Sequence, residues 1–396
     1  MVILTAPALP SLAPVPVKRR IDTIDILRGV AIFGVLASDI IGLSSPEHHF
    51  GPSRMWTDSA NRATAFLLDV LVSEKFITLF SVLFGVGFAI QMERAAKRGV
   101  VSLAFYWRRI AGLFFVGLIH GLFVWEGDIL TTYAVFGLFL VLFRNRAQRT
   151  VLGWAIGLHA LLFAAALAAW LVGGKPTAAP DEVNRLLTLY GQGTWASIQH
   201  ARVGNFMERH VASFPLLLLF VFPRMLFGLW LWRTGFLQHR STHKQFLRRL
   251  CPWTIAIGVA GEAITALLAQ GDMGPLRAVC VPLLSCGYAC GVVVFVCANR
   301  WPWLRGALAA TGRTSLSNYI FQRVFCTTLF YSYGFGLYGK IGPLAGLGIT
   351  SLIYAAETLV SAWWIRRFQY GPVEWVWRSV SYWRLQPFRV RSAASF

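Results

Sequence analysis

The stretch IDILRGVAIFGVLASDI, residues 24–40, decides the fold class because it is an apolar run with charged residues near both ends. At 100° per residue, Asp25, Arg28 and Asp39 fall within an arc of about 60° on one helix face. Charged side chains in a membrane span are costly and usually face the bundle interior or a water-filled cavity. We therefore expect a spanning helix whose charged face turns inward, toward a single hydrated chamber shared with other helices.

The rest of the chain has the composition of a membrane protein. Of its 396 residues, 56% are hydrophobic and 14% are charged. A spanning helix needs about 20 mainly apolar residues. Ten runs are candidates: roughly 24–43, 75–93, 109–126, 128–144, 151–172, 211–234, 252–270, 277–298, 312–333 and 342–365. Period-2 alternation, the pattern of a transmembrane barrel, is absent. The sequence predicts an all-α, polytopic integral membrane bundle of about ten transmembrane helices.

The net charge of +20 would suit a nucleic-acid-binding protein, but its placement indicates a membrane protein. Basic clusters, such as Lys97-Arg98 and Arg108-Arg109, lie at alternate junctions between the apolar runs. Most acidic loop residues, such as Glu126, lie at the other junctions. This is the positive-inside pattern. It predicts that both termini are cytoplasmic and that the protein resides in a bacterial inner membrane, without a nucleic-acid partner.

The apolar runs also set the domain organisation. Residues 1–20 are Pro-rich and predict a disordered cytoplasmic lead, and residues 21–370 predict one transmembrane bundle. The segment 173–210 predicts an outer surface helix over an outward-facing cavity, and 61–73 predicts an interfacial or re-entrant helix. Residues 371–396 mix Trp and Arg, which favours a cytoplasmic interfacial helix and tail.

The six cysteines do not predict a metal site. Cys286 and Cys290 stand one helical turn apart, but no histidine or acidic residue lies near them in sequence. Such an arrangement is typical of small buried thiols rather than of a zinc centre. We therefore expect no metal.

His120 is the candidate for chemistry at mid-depth. It lies eleven residues past Arg109, which is about 16 Å along a helix. Histidine titrates near neutral pH and acts as a general base or a transient nucleophile. Asp39 or Asp128 would then orient or charge-balance the imidazole. The alternative is a core histidine with satisfied hydrogen bonds and no chemical role.

The run TGRTSLSNYIFQR, residues 311–323, carries a polar face. Ser315, Asn318 and Gln322 are spaced at i, i+3 and i+7. They predict a polar cavity wall, with Arg313 at the cytoplasmic mouth to meet phosphate. Polar residues of this kind also hold helices together, and that role stays open. A salt bridge that fixes packing is likewise the alternative for Asp25 and Arg28. The pairing of four further intramembrane charges also stays open: Arg224, Glu262, Arg323 and Glu357.

Four ordered segments resemble the YeiB family, domain of unknown function 418. They are LRGVAIFGVL preceded by Asp25, RRIAGLFFVGLIHGLFVWEGDIL, GRTSLSNYIFQ and FQYGPVEWVWR, over residues of about 20–383. That family is similar to transmembrane acyltransferases, which include the lysosomal heparan-glucosaminide acetyltransferase and bacterial sugar O-acyltransferases. The resemblance implies about ten spans and acyl transfer from cytoplasmic acyl-CoA to an acceptor on the far side.

The resemblance also implies residue roles. Asp25 and Arg28 match the first-span signature of that superfamily. Asp39 sits where the sugar O-acyltransferases carry a histidine and where YeiB-like proteins usually carry Asn. This departure moves the catalytic assignment to His120, in the GLIHG segment.

Together with these residues, the resemblance implies a membrane-embedded acyltransferase that uses acyl-CoA, with acetyl-CoA as the expected donor. The catalytic candidates are His120, Asp39 and Asp128. The donor-binding candidates are Asp25, Arg28, Arg313, Asn318, Gln322, Arg108 and Arg109. The expected partners are membrane lipids, acyl-CoA and an acceptor hydroxyl or amine on the outer side, with a homodimer among the arrangements considered. A transporter that uses the same charges as a proton or substrate path, and a purely structural scaffold, are the alternatives.

Overall fold

The computed structural model describes residues 22–46, 55–97, 103–172, 180–239, 242–268 and 274–390. The predicted lead, 1–20, lies outside these residues. Within them the chain is helical, and the only β pairing is an isolated bridge between Phe368 and Arg389. The helices are α1 Asp22–Ser44, α2 Ser59–Leu71, α3 Lys75–Lys97, α4 Ala104–Phe123, α5 Leu130–Leu140, α6 Gln148–Val172, α7 Pro180–Gln192, α8 Trp195–Met207, α9 Phe214–Arg233, α10 Lys244–Leu268, α11 Pro275–Ala298, α12 Pro302–Arg313, α13 Ser315–Phe330, α14 Pro343–Arg367 and α15 Pro372–Tyr382. The all-α prediction is confirmed.

Every one of the ten predicted runs overlaps one of these helices. Six helices in the described ranges are long and apolar enough to cross a membrane: α1, α6, α9, α10, α11 and α14. The other four runs correspond to α3, α4, α5 and α13. Helices α5 and α13 have 11 and 16 residues, fewer than the roughly 20 that a full span needs. The molecule is a helical membrane protein in which six spans are clear from length and composition.

The accessory segments differ from the prediction in one place. The run 61–73 is the helix α2, whose N-terminus is capped by the Asp58 carboxylate accepting from Asn61 N. The outer segment 173–210 holds two helices, α7 and α8, rather than one. Thr194 separates them because its hydroxyl accepts from Ser197 N and starts α8 as a new helix. The tail forms α15, as expected.

Helix α1 packs against α12 by direct backbone contact. A Cβ on Gly29 would lie 2.1 Å from Leu308 O, and one on Gly312 would lie 1.8 Å from Asp25 O. Only glycine permits this approach at both positions. The contact brings the charged first turns of α1 beside Arg313 at the end of α12.

Helix α15 closes the same end of the bundle. Glu374 accepts hydrogen bonds from Leu316 N at 2.7 Å, Ser317 N at 3.1 Å and Ser317 Oγ, and so caps the N-terminus of α13. An acidic group at a helix N-terminus is stabilised by the backbone donors and the helix dipole. Burial raises the pKa of the Glu374 carboxyl above its ordinary value, and the hydrogen bonds from Ser317 and Leu316 oppose that rise. Trp377 Nε1 also donates to Arg109 O at 2.7 Å, which joins α15 to α4.

Candidate functional site

His120 and Asp128 form a buried pair. The side chains are 1% and 0% exposed, and His120 Nδ1 lies 3.0 Å from Asp128 Oδ1. The other carboxylate oxygen, Oδ2, accepts from Thr131 N at 2.7 Å. Because an ionised carboxylate only accepts, the bond places a ring proton on Nδ1, and in the neutral imidazole the lone pair is then on Nε2. Among the described residues His120 Nε2 has no hydrogen-bond partner, so in that tautomer it is available as a base.

Two glycines allow this pair to form. A Cβ on Gly117 would lie 2.5 Å from Thr131 N and 3.0 Å from Asp128 Oδ2. One on Gly121 would lie 2.2 Å from the Phe206 ring and 3.3 Å from Asp128 Cβ. These two close approaches let the chain after α4 fold back until Asp128 reaches the His120 ring.

The outer helix α8 holds the end of α4 that carries His120. Arg202 is fully buried and donates to Phe123 O at 2.9 Å, and Gln199 Nε2 donates to Leu122 O. These carbonyls belong to the last turn of α4, where orphan acceptors need partners. A cation there also complements the negative end of the helix dipole. Arg202 was expected on a surface helix, but it is part of the support for the site.

A cavity of about 190 Å³ lies at one end of the bundle, and we call it the arginine cavity. Four arginines and two carboxylates line it: Arg28, Arg109, Arg313, Arg378, Asp25 and Glu374. Its deeper wall is apolar, with Phe80, Phe84, Ile110 and Leu113 among the lining residues. Charge at the mouth and apolar depth suit a slender ligand with an anionic head.

A second cavity of about 780 Å³ lies at the opposite ends of α1 and α3, and we call it the mixed-charge cavity. Six carboxylates and three arginines are among its lining residues: Asp39, Asp69, Glu74, Glu126, Glu182, Glu208, Arg185, Arg209 and Arg277. Residues of α7 and α8 form part of its wall, as the sequence predicted for the segment 173–210. This cavity is larger and far more polar than the arginine cavity.

The two cavities meet at four shared residues: Val35, Ile77, Ile129 and Tyr319. The space expected as one hydrated chamber consists of two adjoining cavities, with these side chains between them. His120 lines neither cavity in the described part of the chain. Its ring contacts Tyr319, with centroids 5.0 Å apart, so the histidine lies directly behind the dividing wall.

Asp39 does not contact the imidazole. It pairs with Arg323, whose Nη2 lies 2.5 Å from Asp39 Oδ2. The Arg323 guanidinium carbon is 4.9 Å from the ring centroids of both Trp125 and Tyr319. Of the two acidic candidates, Asp128 is the one that orients His120, and Asp39 fixes a buried arginine beside it.

The predicted donor-binding residues separate into two groups. Asp25, Arg28, Arg109 and Arg313 line the arginine cavity together. Asn318 and Gln322 face α14 instead: Asn318 donates to Ser361 Oγ at 3.2 Å, and Gln322 donates to Glu357 Oε2 at 2.7 Å. Arg108 is absent from the described walls of both cavities.

The remaining intramembrane charges find partners that the sequence left open. Glu262 pairs with Lys75, and both side chains are buried. Arg277 binds Asp69 through two nitrogens, at 2.7 and 3.2 Å, and lies 3.9 Å from Glu262. Arg224 Nε donates to Thr78 Oγ1 at 2.9 Å. Such burial is tolerated because the groups are paired or hydrogen-bonded.

Sequence reasoning missed three residues of the site: Tyr319, Trp377 and Arg378. Tyr319 lies inside the polar run 311–323 but is not charged, so charge counting passes over it. Trp377 and Arg378 belong to the tail helix, which was assigned to the membrane surface. The alternation of Trp and Arg in that tail was the available signal. The Arg109 guanidinium carbon lies 3.8 Å from the Trp377 ring centroid. A tryptophan of the tail helix therefore packs on an arginine of the arginine cavity.

The fold and the buried sites define a polytopic helical membrane protein in which the arginine cavity and the mixed-charge cavity adjoin. Residues 231–384 match the family model described as protein of unknown function (DUF418). The chain is 32% identical over 407 residues to the uncharacterised protein YxaH of Bacillus subtilis, covering 95% of this chain and 98% of YxaH. It is 30% identical over 391 residues to the uncharacterised protein YeiB of Escherichia coli, covering 91% and 95% of the two chains. The chain belongs to the DUF418 family of YeiB and YxaH, which confirms the resemblance.

A third relative extends the comparison. An uncharacterised 39.9 kDa protein of Bacillus acidopullulyticus is 29% identical over 398 residues, covering 96% of this chain and 99% of the relative. These three relatives match between 91% and 96% of the chain.

Proposed function

We propose that the protein transfers an acyl group from cytoplasmic acyl-CoA to a hydroxyl or amine on the other side of a bacterial inner membrane. The observation that carries this proposal is the meeting of two cavities from opposite ends of the bundle beside the His120–Asp128 pair. A donor and an acceptor that never share a compartment need such an arrangement. The basic clusters at alternate junctions assign the arginine cavity to the cytoplasmic side.

The arginine cavity supports the donor half of the proposal. Its four arginines exceed its two carboxylates, and arginine is well suited to bind phosphate through two parallel hydrogen bonds. The apolar depth toward Val35 and Ile77 accepts the thin arm that carries a thioester. Acyl-CoA has both features, a phosphorylated head and a slender reactive arm.

The histidine supports the chemical half. With its proton fixed on Nδ1 by Asp128, His120 offers Nε2 to an acceptor hydroxyl or amine. Removal of the acceptor's hydroxyl or amine proton by a positioned base accelerates transfer by about 10²–10⁴-fold. For Nε2 to act, the Tyr319 side chain must move aside or admit the reacting groups at its edge. The acceptor enters from the mixed-charge cavity.

The deciding experiment uses purified protein in proteoliposomes with labelled acetyl-CoA. Release of CoA thiol and transfer of label to an extract of cell-envelope lipids and glycans are both followed. We expect protein-dependent thioester cleavage that fails in His120→Ala. Absence of cleavage with acetyl-CoA and with longer acyl-CoA donors would reject the proposal.

A transporter is the second candidate, and one observation favours it. The network of Lys75, Glu262, Arg277 and Asp69 is buried beside the mixed-charge cavity. Together with a thin wall between two opposed cavities, it suits alternating access with proton coupling. Solute uptake driven by a pH gradient, in vesicles that show no thioester cleavage, would favour this candidate.

A further inference from the structure

The Tyr319 hydroxyl is a buried polar group that the base chemistry of His120 leaves unused. The side chain is 5% exposed, and among the described residues its hydroxyl approaches the Arg323 guanidinium but makes no hydrogen bond of normal geometry. Buried hydroxyls are nearly always hydrogen-bonded, and an exception requires an explanation. A phenylalanine would fill the same space without that cost, so packing does not account for the oxygen.

The position of Tyr319 supplies the explanation. It is one of the four residues that line both cavities. Its ring also contacts the His120 ring at a centroid distance of 5.0 Å. A reacting carbon reached by a donor from one cavity and an acceptor from the other must lie at this wall, within reach of both side chains.

Arg323 adds positive charge at the same point. Its guanidinium carbon is 4.9 Å from the Tyr319 ring centroid, and in the described part of the chain its Nε and Nη1 face no acceptor other than the Tyr319 hydroxyl. The bond from Nη2 to Asp39 and the Trp125 ring on the other side hold it there. A nearby cation strengthens a phenol as a hydrogen-bond donor and stabilises a developing negative charge.

We propose that the Tyr319 hydroxyl donates a hydrogen bond to the oxyanion that forms when the thioester is attacked. This inference rests on the proposed function. The acceptor oxygen or nitrogen bonds to the thioester carbon, its proton passes to His120 Nε2, and the carbonyl electron pair moves to oxygen. The oxyanion is held by Tyr319. It collapses with cleavage of the C–S bond, and the CoA thiolate takes the proton back from His120.

The test is Tyr319→Phe in the full-length protein, assayed for acetyl transfer in proteoliposomes. The substitution keeps the ring and removes an oxygen that makes no hydrogen bond of normal geometry to the described residues, so folding yield and melting temperature should change little. We expect kcat to fall about 10²–10³-fold, as for loss of one oxyanion donor, with KM for acetyl-CoA unchanged. Tyr338→Phe is the control, because Tyr338 is equally buried and lines neither cavity; its kcat should match wild type.

A kcat of Tyr319→Phe within about threefold of wild type, beside normal transfer by wild type, would overturn this inference and leave the proposed function intact. Absence of transfer in wild type itself would reject the proposed function. Should Tyr319→Phe fold poorly, 3-fluorotyrosine at position 319 gives the answer. It keeps the shape but has a more acidic phenol, which is a stronger hydrogen-bond donor, so kcat should change while KM for acetyl-CoA stays constant. An unchanged kcat would contradict the inference.

Discussion

The two cavities differ in size, charge and depth. The arginine cavity holds about 190 Å³, and arginines outnumber carboxylates two to one. The mixed-charge cavity holds about 780 Å³, and carboxylates outnumber arginines by the same ratio. A symmetric pathway for one solute would offer similar chemistry at both ends. The contrast instead suits two different molecules, one slender and anionic, the other larger and polar, that meet at a common wall.

The four residues shared by both cavities lie between two spaces of different size and charge. Val35, Ile77 and Ile129 are apolar, and Tyr319 is the one polar residue shared by the described walls of both cavities. His120 and Asp128 lie behind Tyr319 rather than inside either cavity. Under the proposed function, the reaction takes place where the cavities meet, and each cavity binds its own substrate. The predictions below test this division of roles, from the largest expected effect to the smallest.

Replacing the base should have the largest effect. His120→Ala removes the group that accepts the proton, and we expect acetyl transfer to fall by about 10³-fold, within the range for a positioned base. Initial rates of CoA release measure it. His159→Ala is the matched control, since His159 also lies in an apolar helix and lines neither cavity. Equal loss in both variants would indicate a fold effect and contradict the assignment.

Replacing an arginine of the arginine cavity should weaken binding only of acyl donors that carry the nucleotide. Arg28→Ala and Arg313→Ala each remove a charged hydrogen-bond donor from the arginine cavity, a loss of about 1.5–3 kcal/mol. We expect KM for acetyl-CoA to rise about 10–100-fold and KM for acetyl-pantetheine, which lacks the nucleotide, to stay unchanged. Arg366→Ala, at an exposed position outside the cavity, should match wild type. If both donors were affected equally, phosphate recognition would be ruled out as the role of these arginines.

A methyl group at Gly117 should disturb the His120–Asp128 pair. Gly117→Ala places a Cβ 2.5 Å from Thr131 N, whereas Gly157→Ala meets nothing within 4 Å. Overpacking costs about 1–3 kcal/mol, and alanine returns about 1 kcal/mol of helix propensity. We expect a lower melting temperature in detergent and a lower kcat for Gly117→Ala. Gly157→Ala should melt at or above wild type, and a similar drop there would argue against the close contact.

The cap on α13 should give the smallest effect. Glu374→Gln keeps one acceptor oxygen for Leu316 N and Ser317 N but loses the charge. Loss of charge at a helix N-terminus costs about 0.3–1 kcal/mol, and relief from burying a carboxylate offsets part of it. We expect a melting temperature slightly below wild type, with KM for acetyl-CoA raised less than threefold. A collapse of folding yield would mean that α15 is held mainly by this one residue.

Much of the fold could be predicted from the sequence because membrane spans are long, apolar and locally encoded. All ten runs correspond to helices, and α2 and α15 were also anticipated from their flanking residues. The count of full spans was harder, since α5 and α13 are short and need neighbours to complete the crossing. The split of 173–210 into α7 and α8 depends on a single cap at Thr194.

The site was predictable only where the relevant contact is close in sequence. His120 and Asp128 are eight residues apart, and the sequence offered Asp128 as one of two acidic partners, with Asp39 as the other. The Asp39–Arg323 pair joins residues 284 positions apart, and nothing in a linear pattern indicates it. Helical spacing grouped Asn318 and Gln322 correctly on one face. It gave no information on whether that face meets a cavity or α14.

The central claim is that two cavities open on opposite sides of the membrane, and cysteine labelling tests it most directly. Gly87→Cys lies in the arginine cavity, where an added Cβ meets only Arg28 Nη2 at 3.8 Å, and Ser38→Cys lies in the mixed-charge cavity. A membrane-impermeant maleimide is added to either face of oriented vesicles, and mass spectrometry reads each introduced site. The account predicts labelling of Gly87→Cys from the cytoplasmic face alone, with protection by acetyl-CoA, and of Ser38→Cys from the opposite face alone. Labelling of both sites from the same face would contradict it.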